Sequence, residues 1–306
     1  MSTVTVKVPA TTANLGPGFD AIGAALTLYN QFHFAITEPT TAKTEVIITV
    51  KGSEAAKVSS DKNNLLYQSF SKFYQHIDRL SPSVQIEIEL GVPLARGLGS
   101  SATAIVAGLL GANHLAGNPL TTDGVMELAI SLEGHPDNVV PALLGNCQLS
   151  VGNPGNWQIC QIPWHENLIP VVAIPDFELS TAEARSVLPQ QYSRSDAIFN
   201  LARMGLLVRG LETNCKDWLT MAMEDKIHQP YRKTLIPGYD AVKSAAMAAG
   251  AYGMVISGAG PTLLALTNVT EREAVASAMK QAWQEEGIEA TVSSLEIDRR
   301  GSLVSE

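Results

Sequence analysis

The stretch Pro93-Leu-Ala-Arg-Gly-Leu-Gly-Ser-Ser-Ala-Thr-Ala104 decides how the rest of the chain reads. Ahead of it, Val84-Gln-Ile-Glu-Ile-Glu-Leu90 places an apolar residue at every second position, as a strand with one buried face does. Behind it, the apolar run from Ala104 to Leu115 is long enough for a buried helix. The order is strand, small-residue loop, helix. Gly97 and Gly99 admit close backbone approach, and amides at a helix start carry partial positive charge, so the loop suits an anion. The lysine of the common phosphate loop is absent. Ser100 and Ser101 offer hydroxyls to phosphate, or an oxygen to Mg²⁺; equally, they serve as caps in a tightly packed turn.

The remainder of the sequence narrows the ligand. Its 306 residues are enough for one large or two medium domains with a sizeable core. A net charge of −9, with no basic block, argues against nucleic acid or an anionic membrane as partner. An anion site must therefore be built locally, from amides, a metal and a few placed cations. Cys147, Cys160 and Cys215 are odd in number and widely spaced, which fits neither a disulfide framework nor a metal site. The N-terminal residues lack the charged-then-apolar pattern of a signal peptide, and no run reaches the roughly 20 apolar residues of a membrane span. The expectation is a cytoplasmic protein.

Periodicity predicts strands at 4–8, 32–36, 46–50, 84–90, 168–174, 253–257, 262–267 and 289–297. It predicts helices at 63–79, 101–115, 194–212, 218–225, 238–249 and 271–286, with another capped by Thr122. Strands and helices mix without regular alternation, and no GxGxxG follows the first strand. The fold class expected is α+β in two layers, not a doubly wound dinucleotide fold. The segment 145–163, rich in Gly, Asn, Pro and Trp, marks a change of domain.

Three further motifs carry polar or small residues at strand and helix ends. Pro9-Ala-Thr-Thr-Ala-Asn-Leu-Gly-Pro-Gly-Phe-Asp20 sets Asn14 and Asp20 in a glycine-bent loop, for ligand contact or for Asx turns. Ser257-Gly-Ala-Gly-Pro-Thr262 is a tight turn, either a plain hairpin or a close approach to ligand. Glu133-Gly-His-Pro-Asp-Asn138 gathers two acids, a histidine and an asparagine, in a solvated loop or a ligand site.

Together these four motifs resemble the GHMP kinases, the family of galacto-, homoserine, mevalonate and phosphomevalonate kinases. The Pro93–Ala104 loop fits that family's Pro-x-x-x-Gly-Leu-Gly-Ser-Ser-Ala pattern in full, and SGAGPT fits its C-terminal glycine motif. PATTANLGPGFD and EGHPDN are similar to the branch that acts on homoserine. The resemblance implies a two-domain fold, with a left-handed βαβ unit in an ATP-binding half (residues 1–160) and a ferredoxin-like second half (residues 161–306). It also implies transfer of the ATP γ-phosphate to the side-chain hydroxyl of L-homoserine, giving O-phospho-L-homoserine for threonine biosynthesis. Mevalonate, a sugar or shikimate are the competing acceptors, and a homodimer is left open.

The residue roles follow from the same resemblance. Pro93, Leu94, Ala95, Arg96, Gly97, Leu98, Gly99, Ser100, Ser101, Ala102 and Thr103 wrap the triphosphate, and Ser101 with Glu127 holds Mg²⁺. Mevalonate-type relatives carry an aspartate base eleven residues after the metal glutamate; counted from Glu127, that position is Asn138. An amide accepts no proton at neutral pH. Asn138 is therefore expected to orient the hydroxyl while positioning and electrostatics do most of the work. Asp20 with Asn14 suits the substrate ammonium, and His135 orients the substrate. Arg185 and Arg232 suit its carboxylate through bidentate forks, and Thr181 suits its hydroxyl or a phosphate. On spacing alone, each arginine reads as a surface ion pair.

Overall fold

The computed structural model describes residues 2–38 and 44–306. The chain opens with two long antiparallel strands, β1 (Thr3–Ala13) and β2 (Ile22–Ile36). Val4, Val6, Val8, Phe32 and Phe34 alternate onto one face and are buried, which fixes the register, since a one-residue slip would expose them all. β3 (Val46–Lys51), α1 (Leu65–His76) and β4 (Val84–Glu89) form a parallel βαβ unit that joins the same sheet. Helix α1 begins where the Asn64 side chain accepts from the amides of Leu66 and Tyr67. Its Leu66, Phe70, Phe73 and Tyr74 then turn into the core.

Helices α2 (Ser100–Leu115), α3 (Thr122–Glu133) and α4 (Pro136–Leu144) share that core. Two expectations are corrected here. The cap of α3 is Thr121, not Thr122, its side chain accepting from the Gly124 amide. The string after Glu133 is not an extended loop: Gly134 ends α3 at φ +90, and Pro136 opens α4 with its ring at the first turn, where no amide hydrogen bond is lost. The 145–163 segment is a hairpin, β5 (Cys147–Asn153) and β6 (Asn156–Ile162), that extends the first sheet beyond β2. Its turn residues, Asn153-Pro-Gly-Asn156, masked the alternation on either side.

The second half starts with β7 (Leu168–Pro175) and passes through α5 (Thr181–Ser186), α6 (Arg194–Thr213), α7 (Lys216–Ala222), α8 (Gln229–Arg232) and α9 (Tyr239–Ala248). β8 (Gly253–Ile256), β9 (Leu263–Asn268), α10 (Arg272–Glu285) and β10 (Ala290–Ser294) complete it. Its sheet runs β10-β7-β9-β8, every neighbour antiparallel, which is the ferredoxin-like strand order. Trp283 of α10 and Val242 of α9 pack on one face. On the other, Val172, Val255 and Leu264 meet Leu207, Leu211 and Leu219 of α6 and α7, together with Ala10, Leu15 and Leu98 of the first half. A shared apolar core therefore joins the halves. A short last strand, β11 (Leu303–Ser305), returns to pair with β1. No described helix is long and apolar enough to cross a membrane.

Candidate active site

One cavity of about 520 Å³ collects all four motifs. The Pro93–Ala104 loop forms its floor. Gly97 and Gly99 both lie at positive φ, and side chains there have no room: a Cβ on Gly97 would meet Ser257 O at 2.3 Å, and one on Gly99 would meet Thr11 Oγ1 at 2.0 Å. Helix α2 follows with Gly99 as N-cap and no side chain capping its first turn. Its leading amides are thus left for a ligand, and Ser100 and Ser101 line the cavity beside them. Asn30 supports the loop from beneath, accepting from the amides of Gly91 and Val92 and donating to Thr103 Oγ1.

The predicted nucleotide-binding residues divide in two. Leu94, Ala95, Arg96, Gly97, Gly99, Ser100 and Ser101 line the cavity; Pro93, Leu98, Ala102 and Thr103 do not. Leu98, Ala102 and Thr103 turn into the core, which sets the loop against the sheet. Arg96 is at the cavity wall, but its guanidinium is spent on carbonyls: Nε donates to Pro175 O, Nη1 to Leu94 O and Nη2 to Asp176 O.

The structure does not bring the expected metal pair, Ser101 and Glu127, together. Glu127 lies outside the cavity lining, and its carboxylate accepts from the Gly155 amide at the tip of the β5–β6 hairpin. Glu133, at the last turn of α3, meets Ser101 instead, its Oε2 accepting from Ser101 Oγ at 3.1 Å. Six residues along a helix turn a side chain through about 240°, so the two glutamates cannot serve one site. Burial raises the Glu133 pKa above its ordinary value, opposed by the nearby charge of His135 and the Ser101 hydrogen bond. A hydroxyl and a carboxylate beside unsatisfied amides fit Mg²⁺, which takes one or two protein oxygens plus phosphates and water.

At the other end, the start of α4 presents the polar string in order. His135 is the N-cap, with Nδ1 2.6 Å from Asp137 Oδ1. Burial opposes charge on that ring, but the Asp137 hydrogen bond and the carboxylates of Asp137, Glu133 and Asp20 outweigh it, so its pKa is raised. Asn138 is fixed between Thr11, whose Oγ1 donates to its Oδ1 at 2.7 Å, and Asp137. The asparagine is thus held rigidly, with its amide at the cavity wall.

Asp20, Arg185, Arg232 and Thr181 converge on the same end. Arg185 donates from both Nη atoms to the Asp20 carboxylate, at 2.8 and 3.1 Å. That hydrogen bond, with the Asp20 charge, raises the pKa of Arg185 further. Arg232 is 2% exposed and anchored by Gly258 O and Ala184 O; burial and the Arg185 charge lower its pKa. Arg232 is therefore no surface ion pair, whereas Arg185 does form a half-exposed ion pair, with Asp20, at the cavity. Asn14 lines the cavity but uses both ends of its amide internally, donating to Gly258 O and accepting from the Asp20 amide. It shapes the loop that carries Asp20.

Three contributors were not foreseen. Thr11 fixes Asn138. Phe19 lies 5.1 Å from the Arg232 guanidinium and 5.7 Å from that of Arg185, a cation–π shelf under both, and stacks on His228. An apolar arm, with Val58, Leu65, Leu66, Ile88 and Leu90, extends the cavity beyond the loop. Phe19 and Glu133 stood inside quoted motifs, whereas the arm draws on scattered elements and has no local signature.

A βαβ-containing half, a ferredoxin-like half and an unlysined glycine loop opening a helix define a small-molecule kinase. Residues 64–146 match the GHMP kinases N terminal domain, and residues 203–288 match the GHMP kinases C terminal domain. Over 305 residues the chain is 66% identical to the homoserine kinase of Crocosphaera subtropica, covering 100% of this chain and 98% of the relative. It is 64% identical to that of Trichormus variabilis over 302 residues, 99% of each. The crystal structure of the Cytophaga hutchinsonii homoserine kinase superposes with a TM-score of 0.89 at 31% identity, over 100% of this chain and 98% of that one. The L. major mevalonate kinase shares the fold, with a TM-score of 0.72 at 16% identity and coverage of 96% of this chain and 95% of that one. The chain belongs to the GHMP kinases, and within them to the homoserine kinase family.

Proposed function

We infer that the protein transfers the γ-phosphate of ATP to the side-chain hydroxyl of L-homoserine, forming ADP and O-phospho-L-homoserine for threonine biosynthesis. The observation that carries this reading is the pairing of opposite charges at the acceptor end: Asp20 faces Arg185, with Arg232 behind it, beside an uncapped helix start. A zwitterionic amino acid presents an ammonium and a carboxylate to that pair. The ammonium replaces the Arg185 contact on Asp20, and the carboxylate takes the two guanidinium forks.

The adenine-ribose part of ATP occupies the apolar arm, and its phosphates take the amides of 97–101. Ser101 and Glu133 would hold Mg²⁺, which supplies charge neutralisation on the phosphates. His135 and Asp137 set the start of α4, and Asn138, fixed by Thr11, orients the acceptor hydroxyl. The hydroxyl oxygen forms a bond to the γ-phosphorus as the bond to the ADP oxygen breaks, and its proton passes late to a transferred phosphate oxygen. A loose transition state needs little early deprotonation, so a held amide suffices while the neighbouring Asp137 carboxylate is engaged by His135 and Asn138. The division near residue 160 is supported by β6 ending in one sheet at Ile162 and β7 starting the other at Leu168.

A panel of acceptors with coupled ADP detection tests the reading. L-Homoserine supports turnover with Mg-ATP; N-acetyl-homoserine, mevalonate and shikimate do not. Turnover with N-acetyl-homoserine equal to that with homoserine would remove Asp20 from the ammonium site.

A further inference from the structure

Arg96 belongs to the phosphate loop yet offers nothing to a phosphate. Its side chain is about 7% exposed, and its three donor groups reach Leu94 O on its own loop and Pro175 O and Asp176 O at the end of β7. Two carboxylates face it from opposite halves of the chain: Glu54 at 3.8 Å and Glu178 at 3.4 Å. Glu54 also accepts from the Leu94 amide, and Lys57 bridges Glu54 and Glu178 at 2.9 and 2.5 Å. The main chain adds two ties, from Leu179 N to Ala95 O and from Thr262 N to Arg96 O.

The contacts to Pro175, Asp176, Glu178 and Leu179 join two particular segments. One is the loop that would receive the donor phosphates. The other, from Pro175 to Arg185, carries Thr181 and Arg185 to the acceptor end. We propose that Arg96 is a positioning residue that registers the phosphate-donor loop against the acceptor-binding segment, with Glu54 and Glu178 holding its guanidinium from both halves. The inference rests on the reading of function above. A planar fork with donors at three corners fixes distance and angle together, which a lysine cannot do. The registration matters because phosphoryl transfer is set by alignment of donor and acceptor. Glu178 pairs with a loop arginine buried at the seam, which a solvated surface charge would not need to do.

The experiment measures kcat, the separate dissociation constants of ADP and homoserine by calorimetry, and the melting temperature for Arg96→Met, Arg96→Lys and Glu178→Gln. Arg96→Met is expected to lower kcat about tenfold or more, with each ligand's own affinity within about threefold, as misalignment without lost contact requires. Arg96→Lys recovers part of that loss. Glu178→Gln, which removes a half-exposed charge, lowers kcat about twofold to threefold in the same sense. A folded Arg96→Met with unchanged kcat overturns the proposal, as does a loss confined to ADP affinity, which would mean direct phosphate contact. Should Arg96→Met fail to fold, wild-type kcat in both Arg96→Lys and Glu178→Gln overturns it. Absence of turnover by the unmutated protein overturns the reading of function and this proposal with it; an active parent with unaffected variants overturns this proposal alone.

Discussion

Asp20 and Arg185 face each other bidentately across the acceptor end of the cavity, one from the bent loop after β1 and the other from α5, 165 residues apart in sequence. In the free protein each satisfies the other. The pair is more than a third exposed on both sides, so it stabilises the fold by about 1 kcal/mol at most. Its importance lies in binding.

Accordingly, Asp20→Asn and Arg185→Met should each raise KM for homoserine about tenfold or more, with KM for ATP nearly unchanged and the melting temperature within a few degrees of the parent. Steady-state kinetics in both substrates checks this. Parallel rises in the two KM values would place the pair outside the acceptor site.

The exchange of Glu127 for Glu133 as partner of Ser101 has a direct consequence. Glu133→Gln is expected to reduce kcat/KM about a hundredfold and to shift the Mg²⁺ dependence upward, because a neutral amide is a poor ligand for a hard cation. Glu127→Gln, which alters only a contact to Gly155, should stay within about threefold of the parent. The reverse ranking would restore the sequence-based pair.

Asn138 and Asp137 separate positioning from proton abstraction. Asn138→Ala frees Thr11 Oγ1 and should lower kcat by about a hundredfold with the fold retained. Asp137→Asn keeps the shape of the α4 start and should cost less than that. If Asp137→Asn abolished turnover while Asn138→Ala did not, Asp137 would be the base.

Gly99→Ala places a methyl on Thr11 Oγ1 at a backbone φ of +68, so both the loop and the Asn138 support are disturbed. Stability should fall by about 2 kcal/mol or more, and turnover should be lost. Denaturant unfolding with an activity assay measures both.

His228 gives the pH dependence. Burial lowers its pKa below the ordinary value, opposed by the charge of Asp225. A histidine with a depressed folded pKa is neutral in the fold while the unfolded chain takes up a proton near pH 6.5. Its stabilising contribution is therefore present above that pH and is lost as pH falls toward the folded value. His135, with its raised pKa, contributes the opposite slope, so the test is the difference: between pH 7.5 and 5.5 the parent should lose more melting temperature than His228→Gln does. An unchanged slope in the variant would assign the titration elsewhere.

The sequence disclosed the parts of this molecule that are local. β4, with period-two burial, stands where periodicity puts it, and β1 starts there but runs on to Ala13; the glycine loop lies directly before α2, as its small residues indicate. Arg185 and Arg232 entered through the family resemblance alone, since a lone arginine has no periodic signature; the fold supplies Phe19 beneath both. Glu133 was passed over because the family's serine–glutamate pair was mapped onto Ser101 and Glu127, and only the helical phase of α3 shows which glutamate reaches Ser101. The hairpin β5–β6 and the helix α4 were hidden by proline and glycine, which mark turns in some positions and helix starts in others.

In the proposed reaction the phosphoryl group reaches the hydroxyl of homoserine. Phosphorus NMR of the protein with Mg-ATP and L-homoserine reads this directly. A phosphomonoester resonance should grow in step with ADP and be absent when homoserine is replaced by N-acetyl-homoserine. ADP formed with inorganic phosphate as the sole new phosphorus species would contradict it.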